Sequence, residues 1–227
     1  VGFEDCRAHY RHPEKVVVTG TPVRGDFFAL TKQQAKEKLG VNDGRKLIVS
    51  FWGSLGSNAM NRAMADFLAL ESAKEPFHHI HGVGEICWSS MQQWLSDDSV
   101  DLSAHPALQV REYIYDMADV MRAADLVICR AGASTLSELT ALGVPAILVP
   151  SPNVTNHHQE KNAALLGDHG AALVLAEEGL DGKKLFAAAA GLLRDDARMA
   201  RMADSMAQLG IRDATERIYR TVMALVK

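Results

Sequence analysis

Residues 125–129 read DLVIC and run directly into RAGASTLSE at 130–138. The first stretch is short and apolar, the form of a strand buried on both faces of a parallel sheet. The second begins with small and hydroxyl residues. It keeps a helical pattern to Leu142, with Gly143 beyond as a C-cap. A buried strand turning straight into a helix is half of a βαβ unit. The pattern recurs on both sides. KLIVSFW at 46–52 leads through GSLGS at 53–57 into a helix over about 57–70. PAILV at 145–149 leads through PSPNVTNHHQ at 150–159 into a helix over 156–166. Further strands are expected at Val16–Thr19, Phe77–His81, Leu108–Ile114 and Ala171–Leu175, with helices at Glu85–Leu95 and Met117–Ala123. Thr31 and Gln34 form a capping-box pair that opens another helix, closed at Gly40. From about Leu180 onward the chain reads as helix. Strands alternating with helices in this way predict an α/β fold: a Rossmann-like doubly wound parallel sheet, covered on both faces by right-handed crossovers, with C-terminal helices.

The composition agrees. Of 227 residues, 48% are hydrophobic and 23% charged, which excludes a disordered or fibrous chain. With 24 basic and 28 acidic side chains the net charge is −4, which argues against nucleic acid held by bulk charge. Cys6, Cys87 and Cys129 are too few and scattered for a disulfide framework and fit a reducing compartment. No apolar run reaches the roughly 18 residues of a membrane-spanning helix, and the start does not read as a signal peptide. The chain opens on Val1, and VGFEDCRAHYRHPEK at 1–15 leads straight into the first expected strand. The expected organisation is a lead-in from a preceding domain over 1–15 and a single domain over 16–227.

Ligands of open α/β sheets sit at the carboxyl ends of the strands. Glycine and polar residues collect in those loops here. In GSLGS the small residues let backbone N–H groups approach an anion at a helix N-terminus. The segment is neither GxGxxG nor a Walker A motif, and a plain tight turn is the alternative. Gly132–Thr135 presents small residues and hydroxyls at a second helix N-terminus, which suits a diphosphate. Glu138 follows Ser134 on the same helix face, about 6 Å along the axis. A carboxylate there can accept from two neighbouring ribose hydroxyls; a capped helix with a solvent-facing glutamate is the alternative. Gln159 and Asn162 carry amides, which both donate to and accept from sugar hydroxyls; a polar first turn facing solvent is the alternative. No metal site is expected. His157 and His158 are adjacent on a helix and diverge by about 100°. His79 and His81 share a strand face but have no carboxylate or cysteine cluster near them in sequence. The methionines fall mostly at helical spacing and read as core, as do Trp52 and Cys129.

The ordered set GTPVR at 20–24, the GS loop at 53–57, REYIYDM at 111–117, DLVICRAGASTLSEL at 125–139, GVPAILVPSP at 143–152 and NHHQEKNA at 156–163 resembles the C-terminal half of the MurG family. These are GT-B glycosyltransferases that add N-acetylglucosamine to lipid I in peptidoglycan synthesis. The resemblance covers nearly the whole chain. It implies that the backbone of Ile114 meets uracil, Tyr113 caps the base and Met117 folds over the nucleotide. It further assigns diphosphate and ribose to Ala133, Ser134, Thr135, Leu136, Ser137 and Glu138, with Glu138 on the ribose hydroxyls. Ser54 corresponds to a phosphate-contacting serine, Arg24 to the arginine of the interdomain segment, and Gln159 to a glutamine that reads GlcNAc. The chain departs from the family's GGSQGA at Trp52 and Leu55, and from its GNPVR at Thr21.

The implied reaction is inverting transfer from UDP-GlcNAc to a lipid-linked muramyl 4-hydroxyl, without metal or other cofactor. The general base and acceptor site are expected in an N-terminal domain outside this chain, at the cytoplasmic membrane face. Rival expectations are a GT-B transferase for another UDP-sugar or a glycolipid acceptor, a non-catalytic nucleotide-sugar-binding subunit, and a UDP-sugar epimerase.

Overall fold

The computed structural model describes residues 1–73 and 76–226. Its strands are β1 (Leu47–Phe51), β2 (His78–Gly82), β3 (Leu108–Arg111), β4 (Leu126–Cys129), β5 (Ala146–Leu148) and β6 (Ala172–Val174). They form one sheet in the order β3-β2-β1-β4-β5-β6, with every pairing parallel. The order reverses direction between β1 and β4. That is the switch point at which a doubly wound sheet opens a crevice beyond its strand ends.

Nine helices complete the described fold: α1 (Lys32–Lys38), α2 (Asn58–Ser72), α3 (Trp88–Asp97), α4 (Met117–Ala123), α5 (Ala133–Leu142), α6 (His158–Asp168), α7 (Gly182–Leu193), α8 (Asp196–Gln208) and α9 (Ala214–Leu225). The pleat decides which side each strand residue serves. Leu47, Val49 and Phe51 enter one core with Val120 of α4, Leu139 of α5 and Leu166 of α6. Ile48 enters the opposite core with Met64 of α2, Met91 of α3 and Leu185 of α7. On α8, Met206 serves the first core and Met199 and Met202 the second. The Thr31–Gln34 capping box forms as expected, and Gly143 closes α5 in the left-handed conformation with φ 69°.

Four readings of the sequence need correction. The helix expected over 156–166 begins only at His158, because Asn156 and His157 take left-handed φ values of 57° and 50°. Val16–Thr19 is not a strand of the sheet: it lies extended, and the N–H groups of Thr19 and Gly20 donate to the Val1 carbonyl. Val17 stays 47% exposed, so β-branched residues without a neighbouring strand do not join the sheet. The expected helix at Glu85–Leu95 starts with a single 3-10 turn, Glu85–Cys87, and becomes α-helical only at Trp88. The strand expected over Leu108–Ile114 ends at Arg111, which frees residues 112–116 as a loop at the sheet's carboxyl edge.

Candidate donor site at the switch point

Loops from the carboxyl ends of β1, β2, β3 and β4 enclose a cavity of about 510 Å³, within the size range of small-molecule sites. From β1 and its loop come Phe51, Gly53 and Ser54; from the β2 turn, Gly82 and Gly84; from the loop after β3, Glu112, Tyr113 and Ile114, followed by Met117 at the start of α4. From β4 and the start of α5 come Gly132, Ala133, Ser134, Thr135 and Glu138. The lining therefore gathers Ser54, Tyr113, Ile114, Met117, Ala133, Ser134, Thr135 and Glu138 of the sequence-based set.

Each wall has a local cause. The N-cap of α5 is Gly132, with no side-chain hydrogen bond to the first turn. Its first residues, Gly132 to Thr135, line the cavity, with Ala133 and Ser134 exposed, and such a helix start carries partial positive charge. The loop before α2 behaves similarly. Ser57 makes no capping bond, because its Oγ accepts from Arg130 Nη2 at 3.2 Å. Ile114 is 4% exposed and anchors the β3 loop, while Tyr113 stands 45% exposed at the rim with its ring 4.9 Å from that of Tyr115.

Glu138 is half-buried and, among the described residues, has no hydrogen-bond or ion-pair partner. Burial raises its carboxyl pKa; nearby Arg24 opposes that rise and Asp26 adds to it. A desolvated acceptor without a donor leaves binding capacity at the cavity wall.

The remaining positions lie elsewhere. Arg24 borders a neighbouring cleft with Asp26, Tyr115 and Asp116, and its guanidinium lies 3.5 Å from Asp26. Leu136 is fully buried in the core, and Ser137 Oγ donates to the Ala133 carbonyl at 3.0 Å. Neither side chain lines the cavity: Leu136 turns into the core, and Ser137, about 100° further round the helix, faces a small crevice beside Gly20, Thr21, Leu209 and Ile211. Gln159 lines a second cavity of about 330 Å³ with Trp52, Arg130, Ser151, Asn153 and Glu177. Its Oε1 accepts from the Ser151 N–H at 2.9 Å.

Arg130 and Glu177 received no role from the sequence, although Arg130 stands at the end of a buried strand. The Arg130 guanidinium donates to the Val149 carbonyl at 3.0 Å, pairs with Glu177 at 2.6 Å and lies 5.8 Å from the Trp52 ring centre. It braces the β1 and β5 loops. His157 pairs with Glu160 at 3.0 Å, and His158 Nδ1 donates to the Thr155 carbonyl at 2.9 Å. Among the described residues, no group of three or more His, Cys, Asp or Glu is placed to hold a metal ion.

Comparison with known proteins now adds a name to the architecture. Residues 47–218 match the family model described as the glycosyltransferase family 28 C-terminal domain.

The chain belongs to glycosyltransferase family 28.

Curated relatives align over nearly the whole chain. It is 37% identical over 227 residues to the UDP-N-acetylglucosamine--N-acetylmuramyl-(pentapeptide) pyrophosphoryl-undecaprenol N-acetylglucosamine transferase of Acetivibrio thermocellus. All of this chain and 60% of that protein are aligned. The transferase of the same name from Bacillus licheniformis is 34% identical over 98% of this chain and 59% of its own length. The chain thus spans about 60% of the curated relatives it matches. Among solved structures, MurG of Acinetobacter baumannii superposes with a TM-score of 0.71 at 26% identity, over 93% of this chain and 58% of that one. A Staphylococcus aureus MnaA–UDP structure, at TM-score 0.69 and 14% identity, shares the fold. It covers 99% of this chain and 59% of that one.

Proposed function

We propose that residues 16–227 form the donor-binding domain of an inverting N-acetylglucosaminyltransferase, with 1–15 as the lead-in from an N-terminal domain. The donor is UDP-GlcNAc and the acceptor a lipid-linked muramyl-pentapeptide. The observation that carries this reading is the switch-point cavity, where an uncapped helix start and an unpartnered carboxylate face one space. The names of the relatives support the choice of donor. Uracil would lie against Ile114 between Tyr113 and Met117, ribose on Glu138, and diphosphate between Ser54 and the start of α5. The GlcNAc would extend toward Gln159, with Arg24 contributing positive charge from the interdomain segment. Leu136 and Ser137 would act through the backbone of α5.

The acceptor 4-hydroxyl attacks C1, and the bond from C1 to the β-phosphate oxygen breaks with its electron pair leaving on UDP. N–H groups at the start of α5 stabilise that charge. The acceptor's proton passes to a base outside this chain, so this chain alone binds the donor without transferring it. No described helix is long and apolar enough to cross a membrane. We infer peripheral work at the cytoplasmic membrane face.

Calorimetric titration with UDP-GlcNAc, UDP-glucose and UDP-galactose tests the reading. UDP-GlcNAc should bind most tightly. No heat at millimolar ligand, or tighter binding of another UDP-sugar, would remove the assignment.

A further inference from the structure

A line of buried polar groups runs under the cavity, and the donor reading leaves it without a role. Ser50, Asn61, Glu71, His79 and His81 are all 0% exposed. Glu71 Oε2 lies 2.7 Å from His79 Nδ1, and His79 Nε2 lies 2.8 Å from Ser50 Oγ. Ser50 Oγ lies 2.7 Å from His81 Nδ1, and His81 Nε2 lies 3.0 Å from Asn61 Oδ1. Asn61 Nδ2 then donates to the Val83 carbonyl at 2.9 Å.

The last bond sets the orientation of the Asn61 amide. A carbonyl only accepts, so Asn61 turns its Nδ2 to Val83 and its Oδ1 to His81. His81 must therefore carry its proton on Nε2. Burial, and next the neighbouring His79, hold the His81 pKa down at about 3 against the opposing pull of the Ser50 carbonyl, 3.2 Å from Nδ1, so the ring is neutral and, with its proton on Nε2, its Nδ1 accepts from Ser50 Oγ–H at 2.7 Å. Ser50 Oγ in turn accepts from His79 Nε2–H, and His79 Nδ1 faces Glu71 Oε2 at 2.7 Å.

The far end of the line meets the cavity wall. A Cβ on Gly56 would lie 2.3 Å from the Val83 oxygen, and one on Gly84 would lie 2.4 Å from the Gly56 nitrogen. The Gly82–Gly84 turn and the Gly53–Ser57 loop thus touch backbone to backbone. Gly53, Ser54, Gly82 and Gly84 all line the cavity. An apolar core would stabilise these positions as well as a polar line does. What the polar line adds is a single fixed place for one carbonyl.

We propose that Asn61 is a positioning residue for the diphosphate side of the donor cavity, with His81, Ser50, His79 and Glu71 fixing the orientation of its amide. The inference rests on the donor reading above. The test compares UDP with uridine, which lacks the phosphates. Asn61→Ala should weaken UDP about tenfold, the effect of one lost buried hydrogen bond, and leave uridine within about twofold. Amides at 53–57 and 82–84 should exchange hydrogen about tenfold faster, with β1 and β4 unchanged. If Asn61→Ala does not fold, Asn61→Ser gives the same comparison: its hydroxyl is too short to hold the Val83 oxygen. Equal weakening of UDP and uridine, or unchanged exchange in the two loops, would overturn the proposal. A wild type that binds no UDP would refute the donor reading, while the exchange pattern would still decide the role of Asn61.

Discussion

Gly84→Ala is expected to destabilise the chain by about 2–5 kcal/mol and to abolish measurable UDP binding. Gly84 adopts φ 90° and ψ 143°, a region essentially closed to residues with a Cβ. The added carbon would also lie 2.4 Å from the Gly56 nitrogen and 2.6 Å from both the Gly56 Cα and the Leu55 carbonyl carbon. All three obstacles are backbone atoms, so no side chain can swing aside. The turn must move away from the Gly53–Ser57 loop, and the wall around Ser54 opens. Urea unfolding followed by calorimetry measures both effects. Gly44→Ala is the control. Gly44 has nearly the same φ, 91°, with nothing within 4 Å of an added Cβ. It should show only the backbone strain and keep the wild-type affinity.

Glu138→Ala is expected to raise the dissociation constant for UDP by about 5–150-fold, the equivalent of roughly 1–3 kcal/mol for a buried polar contact. The ionised carboxylate accepts from both ribose hydroxyls more strongly than the protonated carboxyl, which keeps only part of that acceptor capacity. Its pKa lies above the ordinary glutamate value because it is partly desolvated, with Arg24 opposing the shift. The contribution to affinity is therefore full above that raised pKa and weakens as the pH falls through it. The loss begins at a higher pH than a free glutamate would give. The alanine variant should lack this limb of the pH profile and bind 2′,3′-dideoxy-UDP and UDP alike. Equal affinities of wild type and variant across the pH range would refute the ribose role.

The switch point was legible because buried strands such as LIVSF and LVIC are local signals. So were the loops that follow them, where glycine and hydroxyl residues cluster. Val16–Thr19 carries the same β-branched signal and fails, because pairing depends on a neighbour that the segment itself does not encode. Contiguous motifs mislead for a related reason. Leu136 and Ser137 sit inside the ASTLSE motif, yet one helical turn divides it between cavity and core. Period-two spacing put His79 and His81 on one strand face. Their partners Ser50, Asn61 and Glu71 come from β1 and α2, so the line appears only once the sheet is assembled. Arg130 was visible at the end of β4, but its counter-charge Glu177 is 47 positions away, beyond the reach of local pattern.

The central claim is that one switch-point cavity holds the whole nucleotide. A crystal structure of this chain with UDP-GlcNAc tests it most directly. The expected density has uracil at Ile114, both ribose hydroxyls on Glu138 and the diphosphate between Ser54 and the start of α5. A nucleotide bound outside this cavity, or inside it with the diphosphate directed away from α5, would contradict the assignment.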